Sequence, residues 1–251
     1  MDQEKLSEKA YWEELWQRQN LPAVASLCPD TERTLERFLP RDPGWSFLEV
    51  GCAPGKFMAY FHRKYGYAVT GVEYAEAAAE MTRANLASLD VPGTVATMDF
   101  FEYARIGRQH DVVFSGGFVE HFADLQDVVS QLCALASKVV VTSVPNLVGL
   151  DGLLCKAFRP ALYATHRPVD LKELRRAHEG CGLRTLFCSF VDGLRLSAKA
   201  PERSSRCRAL GRAIRLPVRV FNTVSDKISR ITGHWPHLRL LSPAILYIGT
   251  R

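Results

Sequence analysis

Carboxylates recur within or at the ends of short apolar runs in this sequence, and their positions indicate chemistry. They are Glu49 in the predicted first strand at 45–50, Glu73 at the end of the predicted second strand at 67–73 and Asp99 near the end of the predicted third strand at 95–100. An acidic side chain at the end of the second strand of an α/β sheet can accept hydrogen bonds from both hydroxyls of a ribose. We therefore predict that Glu73 binds a nucleoside; the alternative is a solvated glutamate before a helix over 75–89.

Two histidines are the candidates for acid–base chemistry. His121 follows a glycine turn and His166 precedes a helical stretch, and both segments should emerge at the carboxyl edge of the sheet, where open α/β folds bind ligands. Histidine titrates near neutral pH, which suits a general base. Alternatively, His121 is a hydrogen-bonded loop residue, and His166 anchors a substrate or caps the next helix. We expect Glu120 to orient its loop or to support contacts with a cofactor.

A glycine-rich turn follows the first apolar run and leads into a helical stretch. Glycine lets the backbone take unusual dihedral angles and lets a ligand approach the main chain closely. A phosphate-binding P-loop is excluded, because only three residues separate Gly51 from the next Gly-Lys pair and Phe57 replaces the required hydroxyl. A dinucleotide fingerprint is weak, because Ala53 and Lys56 replace two of its glycines.

The third interpretation of the turn is an acidic residue followed by small residues at alternate positions. This pattern resembles the first motif of class I S-adenosylmethionine-dependent methyltransferases, with Ala53 in place of the middle glycine. The resemblance implies S-adenosyl-L-methionine as cofactor. The contacts that it implies are Glu49, Gly51, Cys52, Ala53, Gly55 and Phe57 at the methionine-side loop, Glu73 and Tyr74 at the ribose, Asp99 and Phe100 at the adenine, and Ser115 and Gly116 after the fourth strand.

Later segments match the same family in the same order along the chain. They are apolar runs at 110–115, 138–144 and 244–249 and a helical stretch at 171–179 that precedes a small-Gly-apolar triplet and a sixth strand. The resemblance covers roughly 40–195 and 243–250. It predicts an α/β fold with a Rossmann-like, seven-stranded, mostly parallel sheet, helices on both faces and an antiparallel last strand.

This fold divides the chain into three predicted parts. They are an N-terminal helical lid at 1–44, a methyltransferase core at 45–195 and 241–251, and a basic amphipathic insertion at 196–240. Tyr11, Trp12 and Trp16 are the candidate lid residues, since an aromatic face would suit a cationic sulfonium. The helix that carries them could equally pack on a neighbour. Asn146, after the fifth strand, is a further candidate at the substrate.

The insertion is strongly basic, with ten basic and two acidic residues between 199 and 239. The whole chain carries a net charge of +5, so the remainder is net acidic. Apolar residues recur at helical spacing, and Pro217 is expected to break the stretch into two helices. These are either lid helices with a solvated charged face or a surface for an anionic membrane, a lipid-linked substrate or an acidic carrier protein. Nucleic acid is disfavoured, because only charge indicates it.

Composition indicates one sizeable domain of 251 residues. The charged first residues contain no apolar signal region, and no stretch approaches the ~18 apolar residues that cross a bilayer. The seven scattered cysteines indicate reduced thiols, so we expect a cytoplasmic protein, with peripheral membrane association as an option. With no nucleophilic triad or metal-ligand cluster in the sequence, we expect no metal and no covalent catalysis.

The sequence therefore predicts methyl transfer to a hydroxyl, or an amine, of a small-molecule, glycan-linked or lipid-linked acceptor. His121 and His166 are the candidate bases. One alternative is a non-catalytic protein that binds a membrane or a partner on the same fold. A second is an NAD-dependent oxidoreductase, which is disfavoured because Lys56 replaces a glycine and no catalytic Tyr-x-x-x-Lys pair is present.

Overall fold

The computed structural model describes Lys5, Leu6, Trp12 and residues 20–194, 205–233 and 236–251, with backbone only for 205–215. Its centre is a sheet of seven strands. They are β1 (Ser46–Val50), β2 (Ala68–Glu73), β3 (Gly93–Thr97), β4 (His110–Gly116), β5 (Ala136–Pro145), β6 (Arg184–Val191) and β7 (Ala244–Thr250). The first five pair in parallel, whereas β7 lies antiparallel between β5 and β6, in the order β3-β2-β1-β4-β5-β7-β6. The predicted fold class is confirmed.

Helices cover both faces of this sheet. The helices of the described residues are α1 (Pro29–Phe38), α2 (Lys56–Tyr65), α3 (Glu76–Ser88), α4 (Phe100–Ile106), α5 (Leu125–Leu135), α6 (Leu150–Phe158), α7 (Pro160–Ala164), α8 (Leu171–Glu179) and α9 (Ser205–Thr232), with a short 3-10 turn at Val119–His121. None of the helices within the described residues is both long and apolar enough to cross a membrane.

Side chains of successive strand residues point to opposite faces, so the central strands contribute to two hydrophobic cores. One core joins Leu48 and Val113 to Leu132 of α5 and Leu174 of α8. The other joins Phe47, Phe114 and Val141 to Leu35 of α1 and Phe61 of α2. Because the central strands are buried on both faces, they form a rigid platform whose carboxyl ends carry the loops of the candidate site.

Two predicted boundaries were wrong, each for a local reason. β3 ends at Thr97 rather than at 100, because Asp99 accepts the Phe101 N–H at 2.8 Å and caps α4. α9 continues through Pro217 instead of breaking there. A proline removes one backbone donor, and the turns on either side of Pro217 keep the helix continuous.

Candidate functional site

A cavity of about 560 Å³ opens at the carboxyl ends of β1, β2 and β4. This is the edge at which open α/β sheets bind ligands. Most of the residues selected from the sequence line it together. They are Trp12, Glu49, Gly51, Ala53, Phe57, Glu73, Tyr74, Asp99, Phe100, Gly116, His121 and His166. The topology of the sheet therefore brings side chains from both halves of the methyltransferase core, which are far apart in the chain, into one cavity.

The turn after β1 has the positive φ angles that its glycines led us to expect. Gly51 has φ +67°, and a Cβ there would lie 3.0 Å from Cδ2 of Phe118. The bare backbone at Gly51 therefore borders the cavity directly. Gly55 has φ +82° at the start of α2, and a Cβ there would lie 2.9 Å from Cγ2 of Thr82. Gly55 is required for packing of the turn and does not line the cavity.

Two buried carboxylates stand beside this turn. Glu49 accepts the Met58 N–H at 2.9 Å and so joins β1 to α2, and burial raises the pKa of Glu49 well above its ordinary value. Glu73 accepts the Ala75 N–H at 3.0 Å, which fixes its carboxylate at the end of β2. Both line the cavity, but only Glu73 stands where the second strand ends, which is the place for a ribose contact.

Asp99 and Phe100 form the next part of the wall. One carboxylate oxygen of Asp99 caps α4, and the other pairs with Lys5. The ammonium of Lys5 also lies 4.8 Å from the ring centre of Tyr74. Phe100 packs edge-on against Phe118 at 5.3 Å and presents an apolar surface beside the Asp99 carboxylate. An acidic group next to an aromatic ring suits the amino group and the plane of an adenine.

The opposite wall holds the two histidines. The carbonyl of Thr165 lies 2.6 Å from Nδ1 of His121, and that of Leu162 lies 2.7 Å from Nδ1 of His166. A carbonyl only accepts hydrogen bonds, so each Nδ1 carries a proton, and in the neutral form of each ring Nε2 carries the lone pair. The ring centres are 4.3 Å apart, and Trp12 packs edge-on against His121 at 4.8 Å.

Burial shifts the pKa values of the side chains in this wall. It lowers the pKa of His121 to about 4, with a further contribution from the neighbouring His166. His121 is therefore neutral at pH 7, as a proton acceptor must be, but it is a weaker base than a histidine titrating near neutrality. Burial also raises the pKa of Glu120 to about 8.

Glu120, His121 and His166 come together although the sequence indicated no metal-ligand cluster. One nitrogen or oxygen of each lies within 4.8 Å of those of the other two. His121 and His166 are 45 residues apart in the chain, so no short spacing motif could have revealed the cluster.

Other selected residues have surroundings that differ from those expected. Cys52 and Ser115 are buried and do not line the cavity. Asn146 is also buried, and its Nδ2 donates to the carbonyls of Arg239 and Ser242, both at 2.7 Å. It fastens the end of β5 to the segment before β7 instead of facing the cavity. Tyr11 and Trp16 lie outside the described residues.

The cavity also has lining residues that sequence analysis did not select. They include Lys5, Lys56, Met98, Phe118, Arg159 and Leu162. Phe118 directly follows the glycine pair after β4, so its position was a usable signal. Lys5 is 94 residues from Asp99, and Arg159 joins α6 to α7 in no recognised pattern. Neither could be found without the fold.

Comparisons with known proteins show that this chain is similar to methyltransferases. A family model described as a methyltransferase domain matches residues 47–138. A release factor glutamine methyltransferase of Koribacter versatilis (strain Ellin345) is 31% identical over 98 residues, which is 38% of this chain and 35% of that protein. The matched region thus spans about a third of the relative's length.

Solved structures with the same architecture cover nearly the whole chain. A SAM dependent methyltransferase from Archaeoglobus fulgidus has a TM-score of 0.56 at 21% identity, over 98% of this chain and 100% of that one. A geranyl diphosphate C-methyltransferase from Streptomyces coelicolor A3(2) has a TM-score of 0.59 at 13% identity, over 97% of both chains. At these identities the solved structures establish the fold alone.

Proposed function

We propose that this chain is an S-adenosylmethionine-dependent methyltransferase that methylates a hydroxyl oxygen of a lipid-linked acceptor at an anionic membrane surface. The main support for this proposal is the set of residues that line one cavity. Glu73 and Asp99 on one side suit a nucleoside, and His121 on the other suits a polar nucleophile. A cavity that joins both kinds of group can hold a methyl donor next to a methyl acceptor.

The described residues suit S-adenosylmethionine part by part. The Glu73 carboxylate at the end of β2 would accept from the ribose hydroxyls, and Asp99 with Phe100 would hold the adenine. The backbone at Gly51, where a Cβ would meet Phe118, leaves room for the methionine part. When bound, S-adenosylmethionine supplies an activated methyl group on a sulfonium.

The chain itself has to position the acceptor and exclude water. Trp12 packs on His121 and closes part of the acceptor side, and the Nδ1 proton of His121 is held by Thr165. Nε2 of His121 then presents its lone pair to a hydroxyl hydrogen or to a cation. Positioning of two reactants in line contributes ~7–11 kcal/mol in favourable cases.

The membrane part of the proposal rests on α9, whose apolar side faces outward. Leu216, Val220, Val224, Ile228 and Ile231 follow one another at intervals of four or three residues and are all at least half exposed. At 3.6 residues per turn they fall within about a third of the helix circumference. A helix that only packs on the core buries its apolar side, so this orientation indicates an apolar partner outside the domain.

The charges on α9 favour a membrane over other partners. Arg219, Lys227 and Arg230 are exposed beside the apolar stripe, whereas Val218 and Ser229 are buried against the domain. An apolar stripe flanked by basic residues is typical of helices that lie in the interface of an anionic leaflet. A lipid-linked acceptor would be presented at that surface.

Methyl transfer from radiolabelled S-adenosylmethionine tests the proposed function. The purified chain is incubated with lipid extracts in vesicles and, separately, with the water-soluble extract of the same cells. We expect the label in the lipid fraction, in a product from which treatments specific for methylated amines do not release it. Label confined to water-soluble compounds or to amines would contradict the proposed acceptor.

Vesicle flotation tests the membrane surface separately. The chain should bind vesicles that contain phosphatidylglycerol, bind phosphatidylcholine alone weakly, and be released by salt. Val224→Asp should abolish binding. Ile106→Asp is the matched control, because Ile106 is similarly exposed but lies on α4. Equal binding by both variants, or capture of an acidic protein in place of vesicles, would refute membrane docking by α9.

A further inference from the structure

The cluster of Glu120, His121 and His166 has features that methyl transfer alone does not require. The 3-10 turn Val119–His121 carries the first two side chains, and His166 follows α7. Glu120 and His121 are 1% and 6% exposed, so both are withdrawn from water. Groups this polar are buried together only when a partner compensates for their lost hydration.

The two histidines have the tautomer that metal ligands need. Both Nδ1 atoms donate to backbone carbonyls, at 2.6 Å for His121 and 2.7 Å for His166. This leaves Nε2 of each ring as the nitrogen that can hold a cation. Histidine ligands of metals usually donate their second nitrogen to a carbonyl or a carboxylate in this way, which fixes the ring.

The carboxylate supplies an independent observation. Oε2 of Glu120 is buried and has no hydrogen-bond partner within the part of the chain that the structure describes. The side chain also lines the cavity. A buried carboxylate oxygen without a donor is costly, and a cation is one of the few partners that would satisfy it.

We propose that Glu120, His121 and His166 bind a divalent metal ion, with Zn²⁺ or Mn²⁺ preferred over Mg²⁺. Two imidazole nitrogens and one carboxylate suit these ions, whereas Mg²⁺ favours oxygen ligands. Tetrahedral bonds of about 2.0–2.2 Å hold ligand atoms roughly 3.3–3.6 Å apart. The three ligand atoms lie within 4.8 Å of one another, so a pair at that limit has to approach by about 1 Å when the ion binds.

Three protein ligands leave coordination positions open toward the cavity. The role of the ion rests on the proposed function: the acceptor hydroxyl binds there and loses its proton to water more readily. Its oxygen then forms a bond to the methyl carbon while the carbon–sulfur bond breaks and the electron pair goes to sulfur. A hydroxyl acceptor, rather than an amine, is the substrate class that benefits.

Calorimetric titration of chelator-treated full chain with Zn²⁺, Mn²⁺ and Mg²⁺ tests the site without any acceptor. We expect one tightly bound Zn²⁺ or Mn²⁺ per chain and weaker binding of Mg²⁺. Glu120→Gln and His166→Gln should each weaken binding at least 100-fold. Glu102→Gln and His62→Gln are the matched controls, because neither residue lines the cavity. Glu102 is exposed on α4, and His62 lies on α2, where its ring contacts the backbone carbonyl of Tyr67.

Binding of S-adenosylmethionine and the melting temperature, measured on every variant, show whether each variant is folded. Unchanged ion affinity in Glu120→Gln and His166→Gln, or equal loss in the two controls, would overturn the metal site. Methyl transfer that resists both chelation and these substitutions would overturn the role of the ion but leave the proposed function standing. Ion binding without any methyl transfer would leave the metal site standing but overturn the proposed function and, with it, the role of the ion.

Discussion

At the scale of single residues, Glu73 is the residue through which the proposed nucleoside contact can be tested most directly. Its carboxylate is buried at the end of β2 and fixed by the Ala75 N–H. Hydrogen bonds to a charged acceptor contribute about 1.5–3 kcal/mol each. We expect Glu73→Gln to weaken S-adenosylmethionine binding roughly 10- to 100-fold in a calorimetric titration. Glu76→Gln, on an exposed glutamate three residues later, should have no effect, and equal affinities for the two variants would contradict the ribose assignment.

Substitution of Gly51 can separate the cost of backbone strain from obstruction of the cofactor site. Gly51→Ala places a methyl group 3.0 Å from Phe118 at φ +67°, whereas Gly107→Ala, at φ +72°, meets nothing within 4 Å among described atoms. Both should lose about 1–2 kcal/mol of unfolding free energy, because an L-residue is strained at positive φ. Only Gly51→Ala should also lose cofactor affinity. Urea unfolding and titration of both variants measure the difference, and retained affinity in Gly51→Ala would remove the turn from the site.

The site residues that lie at the ends of strands could be predicted from the sequence. Glu73, Asp99 and Gly51 each stand at such an end, so their meeting at one edge follows from a parallel sheet. Lys5 and Arg159 were not predictable, because they reach the cavity from segments without a regular pattern. The pKa of His121 was also missed, since burial beside His166 cannot be deduced from residue type.

At the scale of elements, the junction between β5 and the segment before β7 depends on Asn146. Its side-chain amide donates to two carbonyls, of Arg239 and Ser242. Asn146→Ala leaves both without that donor and should lower the unfolding free energy by about 2–3 kcal/mol. Affinity for S-adenosylmethionine should change little. Chemical denaturation of this variant beside Asn20→Ala, an exposed control, measures the loss. Unchanged stability with altered acceptor use would instead support a role at the substrate.

Strands and helices with strong patterns were predicted closely, and the exceptions have local causes. The run 171–179 coincides with α8, because Asp170 caps it and its leucines face the core. β3 was placed too far along the chain, because a capping aspartate and the end of a strand look alike in sequence. Pro217 was overestimated as a helix breaker. The outward orientation of the α9 apolar side was invisible in sequence, since periodicity reveals a stripe but not which way it faces.

At the scale of the whole molecule, stability should fall in mild acid. His178 is fully buried, with Nδ1 donating to Leu174 and Nε2 accepting from Thr142, so both nitrogens are satisfied in the neutral form. Burial lowers the pKa of His178, and that of His110, to about 4 from an ordinary 6.5. Between those pH values the unfolded chain binds more protons, so lowering the pH favours unfolding by up to about 1.4 kcal/mol per pH unit for each histidine.

Urea unfolding between pH 7 and 4.5 measures this dependence. The buried Glu49 and Glu120, whose pKa values are raised, stabilise the fold as the pH falls and offset part of the loss that the histidines cause. His178→Gln should therefore show a shallower decline of the midpoint below pH 6.5 than the parent chain. The same pH dependence in His178→Gln and in the parent chain would contradict the burial of a neutral imidazole at His178.

The central claim is that the cavity at the carboxyl edge of the sheet binds S-adenosylmethionine. Calorimetric titration of the purified chain with S-adenosylmethionine and its demethylated product, with NAD as the control ligand, tests it most directly. We expect both sulfur ligands to bind one per chain in the micromolar range, NAD not to bind, and Glu73→Gln to lose affinity for both. Absence of binding by either sulfur ligand, or binding of NAD in their place, would contradict the claim.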